Sequence, residues 1–286
     1  MLSDLTLAGV NGVVWGLAVA LMAVGLVLTF GFLRLLNLAH GAFYALGAVV
    51  GFYAVSRLHS FGLAMALVPA TVGGVGLLAE RYLLRPVRGV LNGEVLITFG
   101  IAMIVEYSIL LVFGGAPRRL GYPLTGNVSI FGTPYPIYRL FVGVVSLALL
   151  VGCVLVLEKT RLGLHIQATN QDEGLARALG LPVVRLTLVT FGAGTACAAF
   201  AGLMLAPIVA VEFRMGADIM AISFLVTILG GLTRVWWIGT VAVASAVFEN
   251  VIALWLDPLL TRGVLLFILF AALLAIYGRK DRRRSV

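Results

Sequence analysis

Charged side chains are scarce in this sequence. Asp, Glu, Lys and Arg together make up 11% of the 286 residues, whereas a soluble domain typically has about a quarter of its residues charged. Hydrophobic residues account for 62% of the chain. This composition excludes an ordinary soluble domain and predicts an integral membrane protein.

The alternation of apolar and polar residues that is typical of membrane-spanning β-strands is also missing. Uncharged apolar runs recur instead, and several are long enough for a helix that crosses the hydrocarbon core, which takes about 20 residues. The main runs cover residues 5–32, 41–55, 95–104, 140–157, 186–211, 219–233, 236–248 and 263–278. We therefore predict an all-α fold, a polytopic bundle of transmembrane helices.

Cysteine and histidine are rare, with two and three residues. Cys153 and Cys197 each lie inside an apolar run, where a packed, reduced thiol is expected rather than a disulfide or a metal ligand. The sequence has no HExxH, CxxC or GxSxG pattern, and these patterns mark common metal and nucleophile sites. The sequence therefore predicts neither a catalytic residue nor a metal site.

Lysine occurs only twice, as Lys159 and Lys280, which follow Glu158 and Arg279. A P-loop needs a Gly-Lys pair followed by Ser or Thr. The chain therefore lacks such an ATP site of its own. We expect no cofactor on this chain, and we expect ATP to be bound by partner subunits.

The positive charges lie in gaps between the apolar runs. They form three groups: Arg81, Arg85 and Arg88; Lys159, Arg161, Arg177 and Arg185; and the stretch RKDRRR at residues 279–284. This pattern predicts three cytoplasmic segments, and the absence of a basic amphipathic face argues against a nucleic-acid partner. Residues 114–136 are predicted to form an external loop. Counting from these segments gives about nine crossings (eight to ten), with the N-terminus outside and the C-terminus inside.

No linker divides the chain, so residues 1–286 are predicted to form a single transmembrane domain. Gly12 and Gly16 are an example of small residues at four-residue spacing, which lets helix backbones approach closely in lipid. Gly230 and Gly231 precede a short polar pair and two tryptophans. They indicate either a full turn between helices or a break within the membrane.

Polar residues inside apolar stretches are candidates for a translocation path, because such groups face the bundle interior or water. Four residues are selected on this ground: Asn37, His40, Glu106 and Glu249. The first two fit a short loop at the membrane interface equally well. Glu80 is expected instead to form an interfacial ion pair, since Arg81 is its neighbour and Arg85 is close.

The most polar stretch before the tail, residues 160–185, lies between two long apolar runs. Asn170 is predicted to cap a short helix, with Glu173 at the spacing of a capping box. Glu173 and Arg177 form an i,i+4 pair, and Gly180 is placed to end the helix. The prediction is a helix of about ten residues, roughly 15 Å long.

This helix carries a small apolar patch on one side, formed by Leu175, Ala178 and Leu179. Asp172 and its charged neighbours lie on the other sides. The patch suits a protein partner in the cytoplasm. An ordinary surface helix, lying on the membrane or on its own bundle, would show the same pattern.

Six stretches occur in order along the chain: GLVLTFGFLRLLNLAHGAFYALGA from residue 25, ERYLLRPVRG from 80, ITFGIAMIVE from 97, ATNQDEGLARALGLPVVRLTLVTFGAGTACAAFAGLM from 168, ILGGL from 228 and FEN from 248. Together they resemble the permease subunits of bacterial ABC importers for branched-chain amino acids. That family also supplies permeases for urea and short amides. The resemblance covers most of the chain.

The resemblance implies that the segment at about residues 159–186 is a cytoplasmic coupling loop, whose short helix docks on an ATP-binding subunit. The implied coupling residues are Asn170, Asp172, Glu173, Leu175, Arg177, Ala178, Leu179 and Gly180. The implied partners are two cytoplasmic ATP-binding subunits, a second related permease, an external solute-binding protein and the lipid of a bacterial inner membrane. The implied function is ATP-driven uptake of a small amino acid or amide.

Two rival functions use the same polar residues. One is a stand-alone channel for a small polar solute, and the other is a proton-coupled carrier with Glu106 or Glu249 as the titrating group. Neither needs a docking surface for an ATPase, so the coupling helix favours the importer. The solute stays open, because LTRVWWIGT after Gly231 and the carboxylate at Glu106 both depart from the family pattern.

Overall fold

The computed structural model describes residues 2–130, 132–232 and 234–282. This part of the chain is mostly helical. Its elements follow in the order α1 (Leu2–Leu26), α2 (His40–Leu58), α3 (Phe61–Ala79), α4 (Leu91–Phe113), β1 (Asn127–Ile130), β2 (Thr133–Pro136), α5 (Ile137–Lys159), α6 (Arg161–Gln171), α7 (Glu173–Ala178), α8 (Val183–Leu205), α9 (Met215–Gly230), α10 (Val235–Ile252) and α11 (Pro258–Arg282). Two π-helical segments, Val27–Phe32 and Glu80–Leu84, extend α1 and α3, and a 3₁₀ turn, Arg85–Val87, follows the second.

Among the described residues, seven helices are long and apolar enough to cross a membrane. They are α1, α2, α3, α4, α5, α8 and α10, the first and third with their extensions. Two shorter apolar helices, Met215–Gly230 and Leu259–Ala275, lie beside them. The predicted all-α transmembrane bundle is therefore confirmed. The end of the predicted basic tail, residues 283–286, lies outside the described residues.

Helices α1 and α8 form the centre of the bundle. In the most apolar 18-residue stretch of each helix, 78% of the residues of α1 and 72% of those of α8 are buried within the chain, against 22% for α4. A helix that is apolar all round belongs in the interior or in lipid. The inner pair is thus shielded by its neighbours, whereas α4 leaves most of its apolar surface for lipid or for another subunit.

The glycines at four-residue spacing on α1 mark its contact with α10. A Cβ atom added at Gly12 would lie 2.5 Å from Cα of Val247, and one at Gly16 would lie 2.6 Å from Cα of Val243. Both distances are far below a normal carbon contact of about 3.5–4.0 Å. The predicted role of these glycines in close helix packing is confirmed.

The predicted external loop is ordered over its described residues, 114–130 and 132–136. Strands β1 and β2 pair as an antiparallel hairpin, and Arg118 pairs with Val211 through two backbone hydrogen bonds of 3.0 and 2.8 Å. Tyr135 donates from its hydroxyl to Oδ1 of Asn11 at 2.8 Å. Burial raises the pKa of Tyr135, which keeps this donor protonated. The hairpin is thereby fastened to α1, and the segment before it is fastened to the segment after α8.

The chain is irregular between α1 and α2. Arg34 has a left-handed backbone with φ of 54°, which a side chain other than glycine adopts only when other contacts hold it. Thr98 donates from Oγ1 to the carbonyl of Leu36 at 3.2 Å. Asn37 is only 1% exposed. This break is therefore packed into the bundle.

Helices α9 and α10 are joined by a tight turn. Gly231 has φ of 88°, in the region that glycine adopts without steric cost. Arg234 donates from its backbone N–H to the carbonyl of Gly231 at 2.9 Å. The side chains of Trp236 and Trp237 that follow are exposed. The predicted interruption at this place is thus a turn between two helices.

Candidate coupling segment and translocation cavity

The polar insert folds as two helices rather than one. Helix α6 continues to Gln171, so Asn170 lies in its last turn. Asp172 caps the next helix, α7, because its Oδ1 accepts the N–H of Leu175 at 2.9 Å. The prediction that Asn170 caps the short helix is wrong. Residues 161–171 sustain a helix of their own, and this moves the cap two residues along the chain.

The end of α7 follows the sequence prediction. Glu173 and Arg177 form an ion pair one turn apart. Gly180 takes the left-handed conformation with φ of 79°, and Leu181 donates from its N–H to the carbonyl of Ala176 at 3.0 Å. These are the features of a glycine-closed helix end. Pro182 then begins the approach to α8.

The predicted apolar patch on α7 is exposed in the subunit. Leu175 is 58% exposed and Leu179 is 72% exposed, and Ala178 is also exposed. Ala176 points the other way and is 2% exposed. The helix thus rests on the bundle through a small alanine and presents its two leucines outward, as a docking helix would.

A hydrogen bond connects this segment to the break after α1. Arg34 donates from Nε to Oδ1 of Asn170 at 3.2 Å. Asn170 is therefore a link between α6 and residues 33–39 instead of a helix cap. The sequence gives no sign of this contact, because 136 positions separate the two residues.

A cavity with a volume of about 1080 Å³ lies among α2, α4, α9 and α11. Glu106 is half-buried and lines it, as does Arg214 just before α9. The rest of the wall is mainly apolar, with residues such as Phe99, Met220 and Leu266. A few polar groups in a mainly apolar cavity are typical of a small-molecule site.

Asn37 and His40 lie next to residues that line this cavity but are packed inside the bundle, at 1% and 0% exposure. Nε2 of His40 lies 3.1 Å from the carbonyl oxygen of Met22, which can only accept, so the ring hydrogen is on Nε2. Oδ1 of Asn37 accepts the N–H of Ala39 at 3.1 Å. Nδ2 of Asn37 and Nδ1 of His40 have no partner among the described residues.

Glu249 lines a different cavity, with a volume of about 330 Å³. Arg139, Arg262 and Asn11 line it as well. The structure therefore does not bring the four predicted path residues to one place. The arginines at 139, 214 and 262 were missed by the sequence analysis. In the sequence each of these arginines is only a charge at the edge of an apolar run, and such a charge is usually explained by a position at the membrane interface.

Glu80 is 3% exposed, and its Oε1 lies 3.7 Å from Nη1 of Arg88. The ion pair expected from the sequence is present, but its partner is Arg88, not Arg81 or Arg85. The helix continues from Glu80 through the π-helical segment and the 3₁₀ turn to Val87, and the side chain of Arg88 reaches back along it to Glu80. Within the described ranges, no group of three or more His, Cys, Asp or Glu side chains could hold a metal ion.

Comparison with known proteins assigns the family. The family described as branched-chain amino acid transport system, permease component, matches residues 9–274. The chain belongs to this family. The match to the family as a whole includes every helix from α2 to α10.

Individual relatives are distant but cover most of the chain. The high-affinity branched-chain amino acid transport system permease protein BraD of Pseudomonas aeruginosa is 27% identical over 214 residues, which is 68% of this chain and 69% of BraD. LivH of Escherichia coli K12, of the same description, is 26% identical over 210 residues, 68% of each chain. A probable LivH of Methanocaldococcus jannaschii is 28% identical and covers 79% of this chain and 74% of its own.

A solved structure shares the fold. The chain superposes on PsaBC from Streptococcus pneumoniae in complex with Fab with a TM-score of 0.51 and 13% sequence identity. The match covers 92% of this chain and 89% of that one. The helical architecture therefore extends well beyond the sequence relatives.

Proposed function

We propose that this chain is the membrane-spanning permease subunit of an ATP-driven importer for branched-chain amino acids. The observation that carries the proposal is the exposed apolar face of α7, formed by Leu175, Ala178 and Leu179. An apolar face rimmed by charge marks a protein interaction site. The family match and the names of the relatives supply the substrate class.

In this proposal two cytoplasmic ATP-binding subunits provide the energy, and α7 of each permease lies in a groove of one of them. A second, related permease completes the membrane part, and an external solute-binding protein delivers the solute. The chain itself holds no cofactor and hydrolyses no ATP. Its location is the bacterial inner membrane.

We further propose nine crossings, with α9 and α11 added to the seven longer spans, the N-terminus outside and the C-terminus inside. Two contacts support this topology. Arg118 pairs with Val211, so the segment between α4 and the hairpin shares one side with the segment after α8. Arg34 bonds to Asn170, so the break after α1 and the coupling segment share the other. The basic residues near α6 and α7 favour the cytoplasm for that second side.

The cavity at Glu106 is proposed as one wall of the translocation path. It is bounded in part by α4, whose surface is mostly free within this subunit, so that a second permease could cover it. The roles of Asn37, His40 and Glu249 on the path stay predictions. A channel or a proton-coupled carrier would use such a cavity too, but it would leave the α7 face without a purpose.

The test is purification of the tagged permease from a native membrane in mild detergent, followed by uptake into proteoliposomes. We expect two ATP-binding subunits to co-purify. We expect uptake of labelled leucine to require both enclosed ATP and the external binding protein. Uptake that is independent of ATP, or driven by a proton gradient, would contradict the proposal.

A further inference from the structure

A second cavity lies beside the coupling helix. It has a volume of about 380 Å³ and is enclosed by the end of α3 with the turn after it, by α7 and by the start of α8. We call it the basal cleft. Its polar wall is formed by Glu80, Arg85, Arg88, Glu173, Arg177 and Thr187.

The charges of the basal cleft are not fully paired with one another. Glu80 pairs with Arg88 through Oε1, and Glu173 pairs with Arg177. Within the described residues, no carboxylate lies within ion-pair distance of Arg85. Arg85 acts on the charge of Glu80 from beyond ion-pair distance. Its guanidinium is exposed and has room for an anionic group, and Arg is well suited to bind a carboxylate.

Two deeply buried groups of the wall lack hydrogen-bond partners. Glu80 is 3% exposed and Thr187 is 1% exposed. Oε2 of the first and Oγ1 of the second have no partner among the described residues. Buried polar groups are almost always hydrogen-bonded. The acceptor on Glu80 calls for a donor, and an ammonium group supplies three.

A ligand that satisfies the cleft therefore has a carboxylate at one end and an ammonium at the other. We propose that the basal cleft binds an α-amino acid from the cytoplasm, with its carboxylate on Arg85 and its ammonium between Glu80 and Thr187. The inference rests on the proposed function, in which such a solute accumulates on this side of the membrane. Occupancy of the cleft then slows further uptake.

The slowing follows from the position of the cleft. The bound amino acid would join three elements: the turn after α3, helix α7 and the start of α8. Transmission of movement from an ATPase requires α7 to shift against the bundle. A ligand that binds the resting arrangement more tightly than the shifted one lowers the population of the shifted state.

The experiment uses the complete importer in proteoliposomes, with ATP enclosed and labelled leucine and binding protein outside. Initial uptake is measured with and without unlabelled L-leucine in the lumen. For the wild type we expect internal leucine to lower the initial rate by about fivefold or more. In the Thr187→Val and Arg85→Gln variants we expect the initial uptake rate without internal leucine to equal that of the wild type. We expect internal leucine no longer to inhibit uptake.

Thr190→Val is the matched control. Thr190 lies on the same helix, is also 1% exposed and also lacks a partner for Oγ1, but it does not line the cleft. This variant should keep the full inhibition. Equal loss of inhibition in both threonine variants would overturn the assignment, because the effect would then come from packing in α8.

Calorimetric titration of the purified complex, without the binding protein, separates the two ends of the ligand. L-Leucine should bind about tenfold or more tightly than isocaproate, which lacks the ammonium, or isopentylamine, which lacks the carboxylate. The Thr187→Val substitution should lower the affinity for leucine. ATP-driven uptake that ignores internal leucine would overturn this inference alone and would mean that the cleft holds only water. Absence of ATP-driven uptake in the wild type would instead overturn the proposed function.

Discussion

Nε of Arg34 donates a hydrogen bond to Oδ1 of Asn170, and this 3.2 Å contact joins the break after α1 to the last turn of α6. Arg34 holds a left-handed backbone, and the residues that follow it lead directly to the buried Asn37 and His40. The contact thus links the coupling segment to the chain that leads into the bundle interior.

Replacement of Asn170 by Ala should weaken coupling without loss of assembly. The lost hydrogen bond is worth about 0.5–1.5 kcal/mol, which corresponds to a fall in ATP-driven uptake of about 2- to 10-fold. Uptake and ATP hydrolysis are measured on the same proteoliposomes, and hydrolysis should fall less than uptake. Gln171→Ala, an exposed amide at the next position, serves as the control and should behave as wild type.

Replacement of Leu175 by Asp should abolish docking of the ATPase. Leu175 is 58% exposed, so the charge costs little in the isolated subunit, but it becomes costly when the apolar face is buried against a partner. We expect normal membrane insertion and loss of co-purifying ATP-binding subunits. Leu164→Asp, at an equally exposed leucine on α6, is the control. Loss of the subunits in both variants would remove the special role of α7.

Replacement of Asp172 by Ala should loosen the first turn of α7. Loss of a helix cap costs about 1 kcal/mol, so amide hydrogen exchange in α7 should become about fivefold faster. Asp172→Asn keeps a capping side chain and should exchange as wild type. Asn170→Ala should leave the exchange in α7 unchanged. Faster exchange in α7 of this variant would mean that Asn170 caps the helix after all.

A cysteine at position 106 should react with a small, charged thiol reagent, because Glu106 is half-buried and faces the large cavity. The native Cys153 and Cys197 are first replaced by Ala. A cysteine at position 37 should be inert without nucleotide, since Asn37 is 1% exposed. Ser223→Cys, at a site with 0% exposure, gives the rate of a buried thiol. If the cysteine at position 106 does not react, Glu106 does not line the path. If the cysteine at position 37 reacts in any nucleotide state, Asn37 lines the path.

Replacement of Gly16 by Ile should destabilise the bundle at the contact of α1 with α10. The added atoms meet the backbone at Val243, and overpacking of this kind costs about 1–3 kcal/mol. The thermal unfolding temperature in detergent should fall accordingly. Gly9→Ile is the control, because an added Cβ there meets no atom within 4 Å. Equal unfolding temperatures in both variants would contradict the close contact.

Much of the helical architecture could be predicted from hydropathy. The apolar run at residues 140–157 lies within α5, Ile137–Lys159. The run at 186–211 extends beyond α8, which ends at Leu205. Pro207 follows the C-cap Ala206 directly and cannot continue the helix, and Val211 then pairs with Arg118. Apolarity indicates what the membrane tolerates, and the end of a helix also depends on local breakers such as proline.

The candidate site was predicted less completely, for a similar reason. The Glu173–Arg177 pair and the closing Gly180 are local features of a few consecutive residues, and both are confirmed. The choice of Arg88 as the partner of Glu80 depends on the π-helical and 3₁₀ geometry between them, which the sequence does not reveal. The separation of Glu106 from Glu249 depends on which helices are neighbours, and a single sequence carries little information on that.

Helix α8 begins shortly after the end of α7 and leads at its other end to Val211, which is paired with Arg118 in the segment before the hairpin. Its 23 residues make a rod of about 34 Å. In the proposed importer, a loaded binding protein that arrives on this segment would therefore act on the same rigid rod as an ATPase docked at α7. A signal could cross the membrane by a small tilt of α8, without any helix bending or unwinding on the way.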